Sequence, residues 1–110
     1  MTFAPLRGNG QALTYRLTER ADLDLFNMYL EGLHTFGSLQ ADIYYEQIKR
    51  VLDLIGENPE IARERTEIRP PVHVHPHAEH LIVYEIDEAG VLVLRIRHRR
   101  ENWEDDPIGF

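Results

Sequence analysis

The residues best equipped for chemistry lie near the end of the chain, where Arg95, Arg97, His98, Arg99 and Arg100 fall within six positions. Guanidinium groups hold phosphate or carboxylate through paired hydrogen bonds, and an imidazole with a pKa near ~6.5 moves a proton at neutral pH. That composition suits an anion site, and Arg69, expected across the sheet, can join it. The same residues also read as a solvated strand end, balanced by Glu101, Glu104, Asp105 and Asp106.

A second set is His73, His75 and His77. On a strand, residues two apart project from one face at intervals of roughly 7 Å, close enough to share a metal ion. Pro76 disturbs that geometry and no acidic outer shell is specified, so no metal site is expected and the three histidines stay a weak candidate. Tyr29, Tyr44, Tyr45 and Tyr84 fall on apolar stripes and read as core residues with satisfied hydroxyls. The chain has no Ser-His-Asp order, phosphate loop or dinucleotide fingerprint, so no cofactor is expected.

The element that must position the basic cluster is a β-hairpin. His80 to Ile86 and Val91 to His98 are rich in β-branched and aromatic residues, and Asp87-Glu-Ala-Gly90 between them supplies a glycine for the turn. Strict alternation puts Ile82, Tyr84 and Ile86 with Leu92, Leu94 and Ile96 on one face. It puts Leu81, Val83, Val91 and Val93 on the other, followed by Arg95 and Arg97. Both faces are then apolar, and the second needs covering by the chain itself or by a partner.

The remaining chain supplies that sheet with a strand and two helices. Residues 1–12 carry proline and glycine without periodicity and read as a flexible leader. Leu13 to Leu17 alternates as a short strand, and Thr18 is placed to cap a helix whose first turns hold Glu19 and Asp22. Phe26, Tyr29, Leu30 and Leu33 form its apolar stripe, and Gly37 closes it. Ser38 is expected to cap a second helix with Ala41, Tyr44, Tyr45, Ile48, Leu52 and Ile55 on one side, ending near Gly56. So short a link makes the helices an antiparallel pair. Pro59 to Thr66 reads as a helical turn or loop, and Pro70 and Pro71 delay the next strand until about Val72. Residues 101–110 read as an acidic tail, with Trp103 as its one candidate anchor. The expected fold is α+β, in the order β-α-α-β-β-β, an antiparallel sheet packed on a two-helix antiparallel hairpin.

At 110 residues the chain is sized for one domain. It has no apolar run near the ~20 residues of a membrane span and no secretory signal pattern, which points to the cytoplasm. The absence of cysteine excludes disulfides and thiolate chemistry. With 19 acidic against 12 basic residues, the net charge of -7 disfavours nucleic-acid binding by the chain alone. Any anion site must be local.

Taken in order, several segments resemble one family. These are Tyr15-Arg-Leu-Thr with Ala21-Asp-Leu, Phe36-Gly with Gln40-Ala41, Tyr44-Tyr45, Asn58-Pro59, His80-Leu-Ile-Val-Tyr84 and Leu94-Arg-Ile-Arg-His98. Over residues 13–100 the chain is similar to ParE toxins of the RelE/ParE superfamily, found in type II toxin-antitoxin systems. The resemblance implies the RelE/ParE fold and a cognate ParD-like antitoxin whose C-terminal segment wraps the toxin in a hetero-oligomer. It implies inhibition of DNA gyrase by binding rather than by catalysis. The gyrase-facing segment would be Arg95, Arg97, His98, Arg99, Arg100 and Trp103, and Leu81, Val83, Val91 and Val93 would meet the antitoxin. The RelE-like alternative is a ribosome-dependent mRNA endonuclease, with His98 as acid or base and Arg69, Arg95 and Arg97 steadying the transition state. A third reading is a non-toxic partner that only binds antitoxin.

Overall fold

A computed structural model describes residues 14–109, so the proposed leader, residues 1–12, lies outside the described residues. The elements are β1 (Tyr15–Leu17), α1 (Glu19–Phe36), α2 (Ser38–Glu57), a 3-10 turn (Pro59–Ile61), β2 (Glu64–Arg65), β3 (Val72–His77), β4 (His80–Asp87) and β5 (Gly90–His98). They form a five-stranded sheet in the order β1-β5-β4-β3-β2, with the helical pair against one face. The α+β fold is the expected one, with two differences. The sheet is mixed, because β1 runs parallel to β5, and the two-residue β2 pairs with β3.

Local chemistry explains most boundaries. The Thr18 hydroxyl accepts from the Ala21 N–H at 3.0 Å, satisfying one of the unpaired donors at the start of α1. The same hydroxyl donates to Leu94 O at 2.9 Å, which ties the cap to β5. Gly37, at φ 87°, ends α1 and donates its N–H to Leu33 O, a conformation that favours glycine. Ser38 is the first residue of α2 and makes no capping bond; the cap position is Gly37 itself.

The buried stripe of α1 differs from the expected one. Ala21, Leu25 and Met28 face the sheet, whereas Phe26 and Leu30 are exposed. The helix is apolar on two sides, and packing against the sheet selects one of them. On α2 the expected stripe holds: Ala41, Ile48, Leu52 and Ile55 are buried and Tyr44 and Tyr45 half-buried. These pack on Tyr15, Leu17, Ile82, Tyr84, Val91, Val93 and Ile96. Each fully buried aliphatic side chain there contributes about 1.5 to 3 kcal/mol.

A β-bulge re-sorts the hairpin faces. Val83 lies opposite Arg95 but Tyr84 lies opposite Val93, so Leu94 is an extra residue in β5. Up to the bulge Val91 and Val93 therefore face the helices with Tyr84, while Leu92 and Leu94 turn to the other face with Val83. The strict alternation expected for β5 is corrected accordingly.

That second face is not open. Val72, Val83 and Leu94 pack beneath Ile68, with Val74, Leu92, Trp103 and Ile108 around them. The segment between β2 and β3 and the acidic tail together supply this cover, and the tail's Pro107 and Gly109 are buried.

Candidate functional site

The basic cluster is split by the pleat of β5. Arg95 and Arg97 project onto the tail-covered face, and His98 projects to the helix side. Both arginines are only 8% exposed, because the chain itself meets their donors. Asp24 of α1 takes Arg95 Nε at 2.6 Å and Nη2 at 3.0 Å, and the same carboxylate accepts the Ile96 N–H at 2.9 Å. Arg95 Nη1 donates to Ile108 O at 2.5 Å. Arg97 Nη1 donates to Asp106 O at 2.9 Å and Pro107 O at 3.2 Å, and its Nε donates to Glu101 at 3.2 Å.

Electrostatics follow this pairing. Donating to the Asp24 carboxylate raises the Arg95 guanidinium above its ordinary range despite burial. Burial opposes the charge on Glu101, yet the His98 N–H and the Arg97 guanidinium together hold its carboxyl below the usual range. Arg95 and Arg97 therefore act as anchors for α1 and the tail, a correction to their reading as surface groups open to a target.

The exposed members of the cluster are Arg99 and Arg100, with His98 half-buried. Arg99 Nε donates to Ala78 O at 2.8 Å, fixing the turn after β5 against the β3–β4 turn. Arg100 forms no ion pair among the described residues. Trp103 lies in the tail, half-buried, with the Arg65 guanidinium 5.6 Å from its ring centre. Arg69 is exposed in the segment between β2 and β3. His98, Arg97, Arg95 and Arg69 do not converge on one point, so this set lacks the geometry of an acid-base site.

Leu81 is 6% exposed, and Val83, Val91 and Val93 are 0% exposed. The expected partner-facing set is thus core, divided between the two faces by the bulge and the tail. Most of the large apolar residues that reach solvent are on the helices: Leu23, Phe26 and Leu30 recur at helical spacing along α1 and are 50%, 57% and 43% exposed. Beside them is a cavity of about 700 Å³ lined by Leu23, Phe26, Tyr29 and Tyr45 and rimmed by Glu19, Asp22 and Asp42.

The three histidines of β3 share the helix-side face. His73 is buried, stacks on Tyr84 at 5.0 Å and bonds through Nδ1 to Ala62 O at 2.7 Å, which is a structural role. No group of three histidine or carboxylate side chains converges as metal ligands among the described residues. Tyr84 is satisfied by Pro59 O at 2.7 Å, as expected of a core tyrosine.

Reasoning from the sequence missed Asp24 and Glu101 as arginine partners and the contact of Tyr44 with His80 at 2.7 Å. Asp24 and Arg95 are 71 residues apart, and no local pattern signals such a pair. Glu101, four residues beyond Arg97, was visible as a balancing charge but not as the clamp on a buried arginine.

Comparison with known proteins fits this architecture. The sequence model of the ParE toxin of the type II toxin-antitoxin system parDE matches residues 15–103. Among solved structures, a chain described as the chromosomal ParDE TA system from P. aeruginosa superposes with a TM-score of 0.66 at 17% identity. The match covers 74% of this chain and 90% of that one. Among curated proteins none matches. No helix among the described residues is long and apolar enough to cross a membrane. The family model spans β1 to the start of the tail, every strand and both helices included, and the chain therefore belongs to the ParE toxin family of type II toxin-antitoxin systems.

Proposed function

We propose that this toxin acts by binding DNA gyrase and stalling it, and that a ParD-like antitoxin neutralises it. The observation that supports binding over cleavage is the division of the cluster: Arg95 and Arg97 are consumed internally, leaving His98, Arg99 and Arg100 as a basic turn on a rigid mount. Such a turn suits recognition of an anionic or acidic surface. Trp103 belongs to the same gyrase-facing region through its place in the tail, with Arg95 and Arg97 holding that tail in shape.

The antitoxin surface fits the outer flank of the helical pair, where Leu23, Phe26 and Leu30 border an acidic rim. A basic, amphipathic segment of the partner would bury those side chains and meet Glu19, Asp22 and Asp42. Val91 and Val93 then support the helical pair from beneath, and Leu81 and Val83, on the tail-covered face, lie away from that interface.

Supercoiling assays test the target. The toxin should inhibit gyrase, and Arg99→Ala with Arg100→Ala should weaken that inhibition at least tenfold while leaving the fold intact. Cleavage of ribosome-bound message by the purified toxin, without gyrase inhibition, would support the endonuclease reading instead. Expression without growth arrest would leave antitoxin binding as the whole function.

A further inference from the structure

Three histidines on adjacent strands form a row at one end of the sheet. His77 pairs with His80 across β3 and β4, and His80 pairs with His98 across β4 and β5. Tyr44 of α2 closes over them, its hydroxyl 2.7 Å from His80 Nδ1 and 3.3 Å from His77 O. The His80 and His98 rings meet edge to face at 5.4 Å. His98 Nδ1 accepts the Arg100 N–H at 3.1 Å, so the neutral ring carries its proton on Nε2 as a donor.

This row borders a cavity of about 550 Å³ between the helical hairpin and the sheet, on the opposite face from Arg95 and Arg97. One wall is apolar, built from Met28, Phe36 and the Tyr44 ring. Its depth depends on small residues: a Cβ added at Gly32 would lie 3.3 Å from the Cβ of Ala41. Donors face that wall from His80, His98 and Arg100, whose guanidinium has no ion-pair partner among the described residues. Acceptors come from Glu31 and Glu79. The cavity's size and its mixture of an apolar wall with few polar groups are those of a small-molecule site.

We infer that this cavity binds a nucleoside monophosphate whose base carries an exocyclic amino group. The base lies against Phe36, Met28 and Tyr44, its amino group donates to a glutamate, and the phosphate takes Arg100, His98 and His80. A flat ring needs the apolar wall, and an anion needs the donor row. The site shares His98 and Arg100 with the proposed gyrase-facing turn but uses none of the anchoring contacts of Arg95 or Arg97, and nucleotide binding is read on the toxin alone, without gyrase.

Charge makes this site dependent on pH. With neutral imidazoles, Glu31 of α1 and Glu79 of the β3–β4 turn outnumber Arg100, and a phosphate is opposed. Burial holds His80 below its ordinary range, and charge on His98 and His77 lowers it further, while Glu31 and Glu79 act in the other direction. Tyr44 stays protonated, since burial raises its hydroxyl. A phosphate entering the row supplies the missing counter-charge, so binding takes up a proton and strengthens from pH 8 towards pH 6.

The test is an NMR titration of the full chain with AMP, following the imidazole C2–H resonances of His80 and His98. AMP should shift both saturably, with binding at least tenfold tighter than for inorganic phosphate, adenosine or UMP, and about tenfold tighter at pH 6 than at pH 8. Arg100→Ala, at an exposed position, should weaken AMP binding about tenfold, and Glu79→Gln should strengthen it. No saturable shift at millimolar AMP overturns the inference. So does equal binding of phosphate alone, of adenosine alone or of UMP, or an affinity unmoved by Arg100→Ala.

Discussion

Asp24 of α1 grips Arg95 with both carboxylate oxygens, at 2.6 and 3.0 Å, from 71 residues earlier in the chain. The pair sits where β1 has ended and the edge of β5 would otherwise be bare. Asp24 also receives the Ile96 N–H there, so a single side chain closes an edge, a charge and a helix contact. Asp24→Ala leaves a buried guanidinium and a backbone donor without their partner, and should cost about 3 to 5 kcal/mol in urea unfolding. Asp24→Asn keeps an acceptor for Ile96 and should cost less.

The tail should behave as part of the fold. Gly109 has φ 68°, and a Cβ there would lie 2.7 Å from Arg95 Nη1 and 2.8 Å from Arg97 Nη1. Gly109→Ala should therefore lift the end of the chain and cost about 1 to 3 kcal/mol. Chemical denaturation gives the loss, and increased binding of a hydrophobic dye would report exposure of Val83 and Leu94.

Acid should weaken the protein through His80. Its folded pKa is lowered by burial and by His98, so the unfolded chain takes up the proton first, at about pH 6.5. Stability from this group is complete above that pH and is lost as pH falls below it. His80→Phe should flatten the decline between pH 6.5 and 5 by up to about 1.4 kcal/mol per pH unit, the slope for one proton. Denaturant midpoints across that range check the sign.

Thr18 joins the start of α1 to β5 through one hydroxyl. Thr18→Ala should cost about 1 to 2 kcal/mol, and Thr18→Ser should restore most of it. Thermal unfolding of the two variants distinguishes loss of the hydroxyl from loss of the methyl group.

Phe26→Glu with Leu30→Glu should leave stability within about 0.5 kcal/mol, because both side chains already face water. If the helical flank receives the antitoxin, the same pair should weaken that complex at least a hundredfold by calorimetry.

Local signals in the sequence were enough for the hairpin, both helices, the start of β3 and the family. Turn glycines, proline positions and the Thr18 cap act within a few residues, and each left a readable pattern. Two misreadings had a common cause. On α1, Phe26 with Leu30 and Leu25 with Met28 obey the same periodicity, and only packing against the sheet chooses between them. On β5, one inserted residue at Leu94 reversed the sides of Val91 and Val93, and a bulge leaves alternation of apolar residues intact. The site residues were legible as types but not as contacts: Arg95 and Arg97 look like surface charges until Asp24 and the tail carbonyls are brought to them.

The placement of β1 beside β5 imposes an order on biosynthesis. Tyr15, Arg16 and Leu17 leave the ribosome 76 residues ahead of the residues they align with, Val91, Leu92 and Val93. A nascent chain interrupted before Val91 has its helical hairpin but no strand for β1 to join, no anchor for Asp24 and no basic turn. A chain released at that stage therefore carries the helical pair without its closed sheet, and assembly waits until both partners of the parallel pair have been made.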